Sequence, residues 1–224
     1  MCASYGLEID PASIEFEGFS EQVRLSDEQL NALAEWVQRH PEPTLPTGVN
    51  ALNLSPVLRN RGSGTQWDPA WFAMWVRGKP AKLATFNARV EQLLQSNLWS
   101  PAVRSRRCIV PASYYIERKQ RHELDGGAFG IAAVYSAARF EPPAELTQTQ
   151  RADFEGWDGW LLSYALVTRP ATQNVRGVHE RMPLILDPAD YQDWLDPARP
   201  GDHDLVTQVL SGSEGVSQRV QVLG

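Results

Sequence analysis

The hydrophobic positions of this chain fall into short blocks whose spacing switches between the helical and the strand period. The block after Ser26 is the clearest helix: Leu30, Leu33, Ala34 and Val37 lie on one face, and Pro41 ends it. Ser26 is a good N-cap, Gln29 completes a capping box, and Leu25 with Leu30 makes a hydrophobic staple. A second helical face is predicted over 85–99, where Val90, Leu93, Leu94 and Leu98 line up behind Asn87, a favoured cap residue. Pro188 starts a further helix with Tyr191, Trp194 and Leu195 on one side, and a short one follows near 205–210.

The other apolar blocks read as strands. They cover 49–58, the tryptophan-rich stretch 67–75, 108–111, 128–135, 160–168, 184–186 and a closing strand over 216–223. Residues 1–24 lack a helical period and read as an irregular start with a strand at most. Residues 41–48 and 60–64 are Pro- and Gly-marked turns, and the acidic, Pro-containing stretch 136–159 reads as an exposed insertion. Strands dominate, and helices lie between them without βαβ regularity. The expected fold is α+β: a single domain over 1–224 with a strongly curved, barrel-like mixed sheet and peripheral helices.

Composition narrows the function. With 42% hydrophobic residues and 8 Trp the chain can bury a substantial core. The net charge of −6 excludes a globally basic nucleic-acid binder, so an anionic partner must meet a local patch. The one basic region holds Arg104, Arg106, Arg107, Arg118, Lys119, Arg121 and His122. The 67–75 aromatics read mainly as core, with one or two free to stack on bases. Two widely separated cysteines, Cys2 and Cys108, favour a reducing compartment, so a cytoplasmic location is expected. No signal peptide and no apolar run of about 20 residues is visible. Metal-ligand spacings, phosphate-binding glycine loops and a nucleophile elbow are also missing, which leaves cofactor-free, metal-free chemistry centred on cysteine.

That chemistry starts at Met1-Cys2. Loss of Met1 leaves a thiol and a free α-amine on adjacent carbons. Such a 1,2-aminothiol condenses with an aldehyde, first to an imine and then to a five-membered thiazolidine. With Met1 in place the amine is an amide and the ring cannot close. Three other residues have both a chemical and a plain reading. Glu117, beside Tyr115 on a strand face, is a general base or one half of a salt bridge. Asn87 is a helix cap or a polar site residue. His179, in a polar loop before a strand, is a capping residue or an acid–base group.

Five separated blocks, taken together, resemble one family, the SOS response-associated peptidase (SRAP) proteins. They are Met1-Cys2, Asn87-Ala88-Arg89-Val90-Glu91, Arg107-Cys108-Ile109-Val110-Pro111-Ala112 with Glu117, Leu166-Val167-Thr168, and His179-Glu180-Arg181-Met182-Pro183. The resemblance implies a monomer acting on single-stranded DNA that contains abasic sites, in the cytoplasm or on a bacterial nucleoid. Cys2 would form the crosslink, Asn87 orient its amine, Glu117 shuttle protons and His179 assist imine steps. Arg89, Thr168 and Arg181 would hold phosphates or the opened sugar, with Arg107 and Arg118 in the same basic patch. The chain departs from the family's usual Met-Cys-Gly-Arg start: Ala3-Ser4 stands there, and serine lacks the bidentate phosphate contact of arginine. Ile116 and Arg118 stand where Tyr and Trp are common. Two other readings compete: a cysteine hydrolase with His179 as base, and a non-catalytic DNA-binding module.

Overall fold

The computed structural model describes residues 4–8, 14–46, 54–62, 64–79, 85–125, 127–141 and 158–223. Its strands are β1 Ser4–Gly6, β2 Leu54–Asn60, β3 Thr65–Phe72, β4 Asn87–Arg89, β5 Arg107–Ala112, β6 Tyr114–Glu117, β7 Gln120–Leu124, β8 Phe129–Arg139, β9 Trp160–Pro170, β10 Arg181–Pro183 and β11 Val220–Leu223. Its helices are α1 Ile14–Val23, α2 Asp27–Arg39, α3 Ser100–Ser105, α4 Tyr191–Leu195 and α5 His203–Ser217. Strands β9, β3, β2, β5 and β8 hydrogen-bond in that order, and β8 pairs back onto β9. The curved sheet is therefore a closed five-stranded barrel, mixed because β3 runs parallel to β9. Among the described residues no helix is long and apolar enough to cross a membrane.

Strand alternation sorts the core into two layers. Cys108, Val110, Ile131, Ala133, Leu162, Tyr164 and Leu166 form one cluster, inside the barrel. Ile109, Ala132, Val134, Ala165 and Val167 point the other way and pack under helix residues Leu33, Val103, Trp194, Leu205 and Val209. The four-stranded antiparallel sheet β1-β6-β7-β11 covers one opening, sending Tyr5 and Tyr115 into the interior cluster.

The α2 start behaves as its sequence predicts: Ser26 Oγ accepts the Gln29 N–H at 3.3 Å. The Gln29 side-chain oxygen instead accepts the Trp67 N–H at 3.2 Å, stitching α2 to the barrel. Trp36, absent from the predicted face, is buried there against Trp67, with ring centroids 5.6 Å apart. Trp71 and Trp75 are likewise buried, in a cluster with Phe140, whereas Trp67 is half-buried.

Several expectations need correction. Residues 85–99 do not form a helix. Asn87–Arg89 pairs in parallel with Leu166–Thr168, continuing the edge of β9 where β3 stops at Tyr164. Only a single 3-10 turn, Val90–Gln92, follows it. The unfilled strand edge outweighs the weak helical period of a stretch holding Asn, Ser and Trp. Residues 14–23 are helical, not irregular. The last helix runs to Ser217, so the closing strand starts only at Val220. The supposed insertion over 136–159 loses its first residues, 136–139, to β8, and 142–157 lie outside the described residues.

Arg107 is the main electrostatic surprise. It is buried, and its guanidinium donates to five carbonyl oxygens: Trp194 at 2.7 Å, Val103 at 2.8 Å, Arg104 at 3.0 Å, Asp196 at 2.5 Å and Arg199 at 2.8 Å. It therefore cannot be a DNA contact. It ties β5 to the ends of α3 and α4, where carbonyls lack helical partners. On β7, His122 is 1% exposed and stacks on Tyr115, with ring centroids 4.5 Å apart. Burial pushes its imidazole below the usual histidine range, against the opposing pull of the Gln120 carbonyl and the Glu117 charge.

Two stability predictions follow from these groups. Arg107→Ala leaves carbonyls unpaired, with an expected loss of about 3 kcal/mol or more. Thermal denaturation should show this as a drop of about 6 to 12 °C. For His122 the folded pKa lies below the unfolded one, so the unfolded chain binds more protons in that window. Stability should fall as pH drops through about 6.5 towards the folded value. Urea titrations across that range should show this slope for the native chain and a flatter one for His122→Phe.

Candidate active site at the barrel mouth

Strand β9 organises the site. Tyr164, Leu166 and Thr168 alternate onto its inward face, and Thr168 is fully buried. The parallel pairing sets Asn87 beside Leu166 and Arg89 beside Thr168, on that same face. Asn87 is half-buried and Arg89 is exposed. On the other edge of β9, β10 pairs Arg181 with Pro170 and Pro183 with Thr168. The turn before β10 carries His179, whose Nδ1 accepts the Arg181 N–H at 2.9 Å. In a neutral ring the proton then sits on Nε2. Asn87, Arg89, Thr168, His179 and Arg181 thus gather at the C-terminal end of β9.

Arg181 ties this group together. Its Nη1 donates to Glu91 Oε1 at 2.6 Å and its Nη2 to Oε2 at 3.1 Å. Nη2 also reaches the Thr168 carbonyl at 2.7 Å and Oγ1 at 3.2 Å. Burial pushes the Glu91 carboxyl up, but hydrogen bonds from Arg181 and the backbone outweigh it and hold the group below its usual range. The clamp joins the 3-10 turn after β4 to β9, which fixes the strand carrying Asn87.

Glu117 lies on the other sheet. It follows Tyr115 on the inward face of β6 and is buried to 8% exposure. Just beyond it, Arg118 and Lys119 form a two-residue hairpin turn with φ of 49° and 68°. Two left-handed non-glycine residues are the signature of a type I′ turn, here without its usual Asn-Gly. The turn leaves both cations exposed beside Glu117. Arg121 is committed elsewhere: it pairs with Glu8 at 2.8 Å and with Glu123, and stacks on Tyr114 at 3.8 Å. The hydrogen bond from Arg121 holds the Glu8 carboxyl below its usual range.

The two sheets meet at a seam. The Tyr5 and Tyr164 hydroxyls hydrogen-bond across it. Glu117 lies two residues beyond Tyr115, the β6 partner of Tyr5; Asn87 pairs with Leu166, two residues beyond Tyr164. Cys2 lies outside the described residues, but β1 begins at Ser4 opposite Ile116, the neighbour of Glu117. Cys108 is buried inside the barrel, and burial pushes its thiol far up, so it is no competing nucleophile. The sequence reading missed Tyr5, Tyr164 and the Glu91 clamp, and it counted His122, which is buried, with the basic region. Only Glu91 carried a signal, as the last residue of the Asn87-Ala88-Arg89-Val90-Glu91 block.

Known proteins resemble this chain in sequence and in fold. The chain is 29% identical over 149 residues to the abasic site processing protein HMCES of Gallus gallus, covering 57% of this chain and 42% of that protein. It thus spans under half of the chicken relative. It is 26% identical over 188 residues to the abasic site processing protein YedK of Escherichia coli, covering 78% of this chain and 77% of that protein. A crystal structure from Bacteroides thetaiotaomicron shares the fold with a TM-score of 0.63 at 14% identity, covering 99% of this chain and 90% of its own. One from Bordetella bronchiseptica does so at 0.61 and 20% identity, covering 99% and 98%. The blocks that build the barrel mouth all lie within the span matched by the family model for SOS response associated peptidase (SRAP), residues 1–222, and the chain belongs to that family.

Proposed function

We propose that this protein senses abasic sites in single-stranded DNA and crosslinks to them through Cys2. The observation that carries the reading is the seating of β1: its first residue, Ser4, pairs with the strand that bears Glu117. A two-residue tether keeps Cys2 within about 7 Å of Ser4. The printed names of the curated relatives, abasic site processing proteins, support the same substrate.

The chemistry balances with one water released. After loss of Met1, the Cys2 amine attacks the aldehyde carbon of the ring-opened sugar. The carbinolamine loses water to give an imine. The Cys2 sulfur then adds to the imine carbon, and its proton passes to nitrogen, closing a thiazolidine. Glu117 carries protons between these steps, and Asn87 orients the amine. His179 takes part in imine formation and reversal, with Nε2–H as its donor. Arg89 and Arg118, both exposed beside the mouth, supply phosphate contacts. Thr168 and Arg181 form the floor on which the opened sugar rests. The protein acts as a monomer. The word peptidase in the family description fits a second role of Cys2, removal of its own Met1.

These roles separate experimentally. Cys2→Ala should give no stable crosslink to an abasic oligonucleotide on a denaturing gel, while borohydride still traps its imine. Glu117→Gln should slow crosslinking by about 10²-fold or more, and Asn87→Ala by about 10²-fold. A Cys2→Ala protein that crosslinks like the native one would sink the assignment. Arg89→Ala should weaken binding of intact single-stranded DNA and lower the salt slope by about 1.

A further inference from the structure

We propose that the Tyr5–Tyr164 hydroxyl pair is a positioning device that sets the register of β1 and so delivers Cys2 to the barrel mouth. This deepens the reading of Cys2 above and rests on it. Strand β1 is only three residues long. It pairs with β6 on one side, and on the other it makes a single bridge to Thr44, with bonds of 3.3 and 2.8 Å. So short a ladder specifies register weakly, and a slip of one residue turns every side chain to the opposite face. Tyr5 removes that freedom. Its ring is 1% exposed and meets Phe72 edge-on at 5.4 Å, while Tyr164 stacks on the same Phe72 ring at 5.1 Å.

The hydroxyls add a specific contact: those of Tyr5 and Tyr164 hydrogen-bond to each other, and Ser55, itself buried inside the barrel, hydrogen-bonds to Tyr164. A β1 slipped by one residue would put Ser4 or Gly6 opposite Tyr164, and neither carries a hydroxyl that reaches as far. Gly6 reinforces the choice: a Cβ there would stand 2.3 Å from the Tyr114 ring, so this strand position accepts no side chain. Two residues separate Tyr5 from Cys2, and the three chain steps reach at most about 10 Å, so the ring that is fixed governs where the nucleophile can go.

The test uses the full chain and the variants Tyr5→Phe, Tyr164→Phe, their double variant and the milder Ser55→Ala. Phenylalanine keeps the ring packing and removes only the hydroxyl. Single-turnover crosslinking to an abasic oligonucleotide gives the maximal rate and the half-saturating DNA concentration; amide exchange reports on residues 4–6. Each Phe variant should lower the maximal rate at least tenfold, with half-saturation changed less than twofold. Exchange over 4–6 should speed up at least tenfold while β8 and β9 stay protected. The double variant should be no worse than the poorer single one, and Ser55→Ala should shift both readouts in the same direction by less. If Tyr164→Phe does not fold, Tyr5→Phe decides. Unchanged exchange over 4–6, or a maximal rate within twofold of native, overturns the proposal. Native protein that forms no crosslink defeats the Cys2 reading, and the exchange result then still decides whether the hydroxyl pair fixes β1.

Discussion

The barrel depends on one strand with two fully used edges. Strand β9 takes β8 along one edge until Leu166 and then β10 from Thr168. Its other edge takes β3 up to Tyr164 and then β4 from Leu166. Every change of partner falls at the same level of the barrel. There the neighbouring chains must turn, and irregular backbone and polar side chains are tolerated because a rigid ladder holds their ends. Asn87, Arg89, Thr168 and Arg181 all sit at that level. The site is thus a by-product of how the barrel closes, sharpened by the Arg181–Glu91 clamp.

The second sheet carries the other half of the candidate site. Glu117 and the start of β1 belong to it, and the hydroxyl pair of Tyr5 and Tyr164, with Tyr115 packed in the same interior cluster, joins them to the barrel. The charges follow the same economy. Arg107 is spent on carbonyls in the interior, and Arg121 on Glu8 and Glu123. Among the described residues, Arg89, Arg118 and Lys119 are exposed cations on β4 and on the turn after β6. A chain with net charge −6 can therefore present a small positive rim without being basic overall.

Much of this was legible in the sequence. Long alternating apolar runs marked β8 and β9, and Ser26 marked α2, because these signals are local. The α+β class and the curved sheet followed from strands without βαβ spacing. Residues 85–99 misled, since their role as a barrel edge depends on β9, nearly 80 residues away. Arg107 misled for the same reason: nothing near it shows that helix ends will surround it. Tyr5 and Tyr164 looked like ordinary core residues, because a hydroxyl pair across 159 positions leaves no periodic trace. The blocks around Asn87, Glu117 and His179 drew notice through their resemblance to one family, and the fold sets Asn87 and His179 at one end of β9 and Glu117 on the second sheet.

Intact-mass analysis after incubation with a single-stranded oligonucleotide bearing one abasic site bears most directly on the central claim. The account predicts a heat-stable adduct whose mass is that of the protein without Met1 plus the oligonucleotide, minus one water. Protein that lacks Met1, binds the oligonucleotide and yet gives no such adduct would contradict it.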